Sequence, residues 1–100
     1  MTGPNEHPLP VGYPDLDAIG WLRVEEIDYL GLAIRMTVTP GERTVQLWEL
    51  EGGRPVEWIG NVFRIDAEPP CLHLNYKYER ILTRAQREPL ARLGAKFWKS

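Results

Sequence analysis

Gly52-Gly53 restricts the fold more than any other pair in the chain. It stands between two runs, VQLWELE (45–51) and RPVEWI (54–59). Two consecutive glycines tolerate the positive φ that a two-residue hairpin turn demands, so the flanking runs read as antiparallel neighbours. Closing that turn sets Glu51 opposite Arg54, with opposite charges facing, and Leu47 opposite Trp58. A second turn, TPGE (39–42), places Pro40 where φ is fixed and Gly41 where φ is positive, as a type II turn requires. If Thr39 and Glu42 close it, Met36 faces Val45 and Ile34 faces Leu47. A third, DYLG (28–31), suits a three-residue loop with Gly31 left-handed, which sets Glu25 opposite Arg35 and Val24 opposite Met36.

The three registers agree. Leu22, Val24, Ile34, Met36, Val38, Val45, Leu47, Val56 and Trp58 fall on one face, and a slip of one residue at any turn would break that agreement. WIGNVFRI interrupts the alternation at Gly60-Asn61, where a bulge would return Phe63 and Ile65 to the same face. CLHLNYKY alternates cleanly, which puts Leu72, Leu74, Tyr76 and Tyr78 together. Five antiparallel strands in up-and-down order follow, near 21–28, 32–39, 43–51, 54–65 and 71–81. Their apolar face needs a cover, and the C-terminal segment offers one. Thr83 and Gln86 form a capping box, and Leu90, Leu93 and Phe97 recur at helical spacing. Pro89 would clash with the carbonyl of Ala85 inside a helix, so a kink is expected there, or a main helix that starts near it. The expected fold class is α+β, an up-and-down sheet with one face covered by a C-terminal helix.

A chain of 100 residues with 43% hydrophobic and 26% charged content is expected to form one domain, over 18–100. Residues 1–17 differ: MTGPNEHPLPVGYPDLD holds four prolines, two glycines and few large aliphatics, and reads as an extended arm. It has no basic start followed by an apolar run, so it does not read as a signal peptide. No apolar stretch approaches membrane-spanning length. Cys71 is the only cysteine, which excludes an internal disulfide and points to a reducing, cytoplasmic setting.

Catalytic parts are missing. Ser100 is the only serine, which rules out a serine nucleophile embedded in the fold. Cys71 and His73 share a strand face, but no oxyanion hole or orienting group accompanies them. A small thiol and a partly exposed histidine are the plain reading. His7 lies in the arm, and two separated histidines with one cysteine make no zinc site. No phosphate-binding glycine loop appears, since Gly52-Gly53 is accounted for by its hairpin. Neither enzyme activity, nor a cofactor, nor a metal is expected.

Charge is unevenly divided along the chain. Residues 1–76 hold five arginines against twelve carboxylates, a net of −7. Residues 77–100 hold seven basic residues against Glu79 and Glu88, a net of +5. In YKYERILTR (76–84), where this basic end begins, strand alternation sends Tyr76 and Tyr78 to the core. On a helical wheel Arg84, Arg92, Lys96 and Lys99 lie opposite Leu90, Leu93 and Phe97, the arrangement of a solvated helix face. Nucleic-acid binding by Arg84, Arg87, Arg92 and Lys96 is the alternative, since nine of the twelve basic residues are arginine, which can grip phosphate through two parallel bonds.

The face turned away from the helix carries Arg23, Glu25, Arg35, Thr37, Thr44, Gln46 and Glu57, but also Trp21, Ile27, Trp48, Leu50, Pro55 and Ile59. Tryptophan and arginine are favoured in binding hot spots. The expected function is therefore that of a small non-enzymatic protein of inhibitor, immunity or adaptor type. It docks on a protein partner, or on its own copy, through Trp48, Trp21, Arg35, Leu50, Glu57 and Ile59. The competing explanation of those apolar residues is that the arm folds over them.

Overall fold

The computed structural model describes residues 23–38 and 43–99. The arm, Trp21, Leu22 and the Pro40-Gly41 turn lie outside them. Five strands form one antiparallel sheet in the order of the chain: β1 (Arg23–Tyr29), β2 (Leu32–Val38), β3 (Val45–Glu51), β4 (Arg54–Phe63) and β5 (Cys71–Leu74). A short helix, α1 (Tyr76–Glu79), and a long one, α2 (Arg84–Lys99), follow. The fold is α+β, as the turn chemistry predicts.

Both described hairpins are two-residue turns. Gly52 and Gly53 have φ of 62° and 80°, and Glu51 pairs with Arg54 as expected. The first hairpin departs from expectation, because Leu30 and Gly31, at 56° and 85°, close a two-residue loop rather than a three-residue one. Asp28 steadies that turn by accepting from the Gly31 amide at 3.2 Å. Every β1 pairing shifts by one: Glu26, not Glu25, faces Arg35, and Val24 lands on the outer face. Between β2 and β3 the shift is two residues, with Val38 opposite Val45 and Met36 opposite Leu47. An even shift leaves each side chain on its predicted face, so Ile34, Met36, Val38, Val45 and Leu47 all reach the core.

β4 carries two irregularities. The pairing passes from Leu50–Pro55 to Glu49–Glu57, and from Trp48–Trp58 to Leu47–Gly60, leaving Val56 and Ile59 as extra residues. The first bulge turns Trp58 outward, against the expected inward placement. The second sends Ile59 into the core and brings Val62, not Phe63, into the interior. Gly60 sits there because a Cβ would lie 2.1 Å from the His73 carbonyl oxygen, so no larger residue lets β5 approach.

β5 ends earlier than predicted. Asn75 accepts from the Lys77 amide at 3.3 Å and donates to the Trp58 carbonyl at 2.8 Å, which caps α1 and anchors it to β4. Helical spacing then separates the two tyrosines: Tyr78 is fully buried and Tyr76 is 66% exposed. Arg87 closes the far end of α1, donating to the carbonyls of Glu79 and Leu82 at 2.7 and 3.1 Å.

α2 runs unbroken through Pro89, one turn inside its start. Thr83 opens it, donating its amide to the Gln86 side chain at 2.9 Å, half of the predicted capping box. The helix lays Leu90, Ala91, Gly94, Ala95 and Phe97 on the sheet and leaves Leu93 at the rim. Small residues set this rotation, because a Cβ on Gly94 would lie 2.6 Å from Val62 Cγ2.

Up-and-down order places the β1–β2 and β3–β4 turns at one end of the sheet, the turn end. The start of β3 and the β4–β5 connection lie at the other, the loop end. α1 and the start of α2 reach the turn end, where Tyr78 donates to the Glu49 carboxylate and Tyr29 to the Gln86 carbonyl. At about 1.5 Å per residue, α2 then spans the molecule toward the loop end. There Arg43 pairs with Asp66 at 2.7 Å and lies over the Trp98 ring.

Candidate functional site

The expected contact surface around Trp48 is not an open patch. Trp48 does lie on the outer face, opposite Arg35 and Trp58. It is nevertheless only 4% exposed, and its indole N–H donates to Thr37 Oγ1 at 3.1 Å. Leu50 is buried as well. Ile59 belongs to the helix-side core through the second bulge, and Glu57 turns to the same side, within 3.7 Å of Lys77 Nζ. Arg35 is held by Glu26 at 2.9 Å and reaches the Gly53 carbonyl. Trp21 is outside the described residues. Near Trp48 the half-buried Trp58 donates to Gln46 at 2.8 Å, with its ring centroid 6.0 Å from that of the exposed His73.

Large hydrophobics are exposed in other places: Val24 on β1, Leu93 on α2, and Leu30, Tyr76 and Ile81 on the first hairpin and around α1. Leu30 is 59% exposed at the tip of the first hairpin, and Ile81 is 51% exposed just after α1. Tyr76 is 66% exposed at the start of α1, with the Arg80 guanidinium 5.1 Å from its ring centroid. Arg84 is exposed on the first turn of α2. Leu30 carries the sharpest signal. A two-residue turn of this type asks for Asn or Gly at its first position, and a branched aliphatic there costs roughly 1–2 kcal/mol of backbone strain. Reading DYLG as a three-residue loop hid this mismatch. Partial burial pushes the neighbouring Tyr29 phenol above its ordinary pKa.

The basic residues separate into different roles. Arg84, Arg92, Lys96 and Lys99 are solvent-facing, as the helical wheel predicts. Arg87 is not available to phosphate, since its guanidinium is spent on the carbonyls of Glu79 and Leu82. Arg92 bonds Glu88 at 3.0 Å and approaches Glu68 at 3.8 Å. With Lys96 and Lys99 it borders a cleft of about 260 Å³ at the loop end, completed by Ile65, Glu68, Pro70 and Ala95. Ile65, Glu68 and Pro70 come from the β4–β5 connection, whose path no periodicity in the sequence reveals.

Among the described residues, no group of three histidine, cysteine or carboxylate side chains could hold a metal ion, and no helix is long and apolar enough to cross a membrane. Comparison with known protein families, with curated protein sequences and with solved structures found no match.

Proposed function

We propose that this chain is a small non-enzymatic binding protein that docks on a protein partner through its turn end. Leu30 carries the reading. An aliphatic that is mostly exposed in a left-handed turn position costs backbone strain and recovers little of it by burial. Contact with a partner would give it a use. Ile81, with Tyr76 and Arg80 of α1, would complete the surface, since aromatic and aliphatic groups beside arginine are the composition of an interface centre. Arg80 and Arg84 stand there beside the exposed Asp28, Glu51 and Glu79, so the partner surface that fits is an apolar depression with a rim of both charges.

The test compares the wild-type chain with Leu30→Asn. Asparagine suits the turn, so the variant should be more stable by about 1 kcal/mol in denaturant unfolding. The same variant should lose the partner that wild type captures from nuclease-treated lysate, and Tyr76→Ala/Ile81→Ala should lose it too. A stabilised variant that retains the partner would reject the turn end as the docking surface.

A second reading, binding of single-stranded nucleic acid, draws on Arg80 lying over the exposed Tyr76 ring beside Arg84. Salt separates the two, because phosphate contacts weaken steeply as salt rises and apolar docking does not.

A further inference from the structure

The cleft at the loop end lies apart from the docking surface proposed above and has a chemistry of its own. Its apolar lining is Ile65, Pro70 and Ala95, all buried. Arg92, Lys96 and Lys99 stand along its helical side, against one carboxylate among the described residues, Glu68. Arg92 is partly neutralised by Glu68 and Glu88. Lys96 and Lys99 have no side-chain partner among the described residues. Two uncompensated ammonium groups beside an apolar surface describe a receptor for a ligand with both properties. The volume, about 260 Å³, admits a ring or short chain but no folded segment.

We infer that this cleft binds a small organic anion, a phosphate or carboxylate carried on a compact apolar body. The anionic group sits between Lys96 and Lys99, and the body rests on Ile65, Pro70 and Ala95. Arg92 turns toward the ligand only as far as Glu88 and Glu68 release it. Glu68 therefore opposes binding and sets a ceiling on affinity.

Methyl and amide NMR of the full chain tests this with four probes: phenyl phosphate, phenylacetate, inorganic phosphate and benzyl alcohol. Phenyl phosphate or phenylacetate should shift the Ile65 and Ala95 methyl resonances, and whichever binds more tightly identifies the anionic group. Inorganic phosphate lacks the body and benzyl alcohol lacks the charge, so each should bind more weakly. Lys96→Ala/Lys99→Ala changes only exposed side chains, and should weaken binding about ten-fold without altering the spectrum of the core. Glu68→Gln should strengthen it about two- to three-fold. Inorganic phosphate binding as well as phenyl phosphate would overturn the inference, since the apolar lining would then contribute nothing. So would shifts that ignore the lysine variant. An oligonucleotide that binds more tightly than either aryl anion, with losses at Arg84 as large as at Lys96, would replace the cleft by a nucleic-acid contact along α2.

Discussion

Replacing Gly94 by alanine opposes two effects of known size. In an isolated helix the change is favourable by about 0.8–1.0 kcal/mol, because glycine is the poorest helix former apart from proline. Here the new methyl would stand 2.6 Å from Val62 Cγ2 and 3.2 Å from Val62 Cβ. Ordinary carbon–carbon contact begins near 3.5 Å, so the overlap approaches 1 Å. Val62 cannot swing aside easily, since a β-branched side chain is stiff at χ1 and this one is fully buried between β3, β5 and α2. Relief must come from lifting the helix, and such overpacking typically costs 1–3 kcal/mol. The net result should be a loss of about 1 kcal/mol, read as a lower urea midpoint at unchanged slope. Val62→Ala alone should cost about 2 kcal/mol through its cavity. Combined with Gly94→Ala it should cost less than the sum by at least about 0.5 kcal/mol, because the new methyl occupies the space vacated. If Gly94→Ala instead stabilises by the full propensity gain, α2 does not rest on Val62, and its rotation on the sheet is different.

Three further outcomes are expected. Phe97→Ala should cost about 3–5 kcal/mol, since Phe97 is buried with Met36 and Leu47, and a near-normal melting temperature would mean the helix does not cover the sheet. The Tyr29 phenol is raised by burial, so its contribution to stability is complete below the unfolded value near 10 and is lost as pH rises through the higher folded value. Unfolding midpoints should therefore fall more steeply above pH 10 in wild type than in Tyr29→Phe; equal slopes would reject the link. Tyr78→Phe removes the donor to Glu49 while keeping the buried ring, and should cost about 1–3 kcal/mol in the same assay.

Strand order, the position of both described hairpins and most of the helix-side core were legible because turn chemistry and period-two alternation act locally. Face assignments survived the two-residue shift between β2 and β3, since parity is unchanged. They failed where one residue was gained or lost. Leu30 in a positive-φ position shortened the first loop and moved Val24 outward. Two bulges in β4 exchanged the roles of Trp58 and Ile59. The marks are indirect: Pro55 precedes the first bulge, and Gly60 follows the second for the sake of a neighbouring strand rather than its own backbone. The end of β5 was missed because Asn75 acts as a cap only once β4 supplies a partner for its amide. Trp48 shows the limit of alternation, which assigns a side chain to a face without telling how deeply that face is covered.

The basic C-terminal segment, with its net of +5, invites the idea of a nucleic-acid grip, but folding disperses that charge. Arg87 is committed to carbonyls, Lys77 lies beside Glu57, and Arg92 lies between Glu88 and Glu68. Arg80 and Arg84 remain at the turn end, with Lys96 and Lys99 most of a helix length away at the loop end. A strand of nucleic acid spanning α2 could thus engage about four cations without breaking an ion pair. Each neutralised phosphate contributes about −0.7 to −0.9 to the slope of log K against log salt, so any such binding should show a slope no steeper than about −3 to −4. Proteins that make 6–10 phosphate contacts lose affinity far faster. A fluorescence-anisotropy titration of a labelled oligonucleotide across salt concentrations measures the slope directly. A value near −6 would require Lys77, Arg87 and Arg92 to leave their partners on binding, and nucleic acid would then displace a protein as the ligand that best accounts for this charge.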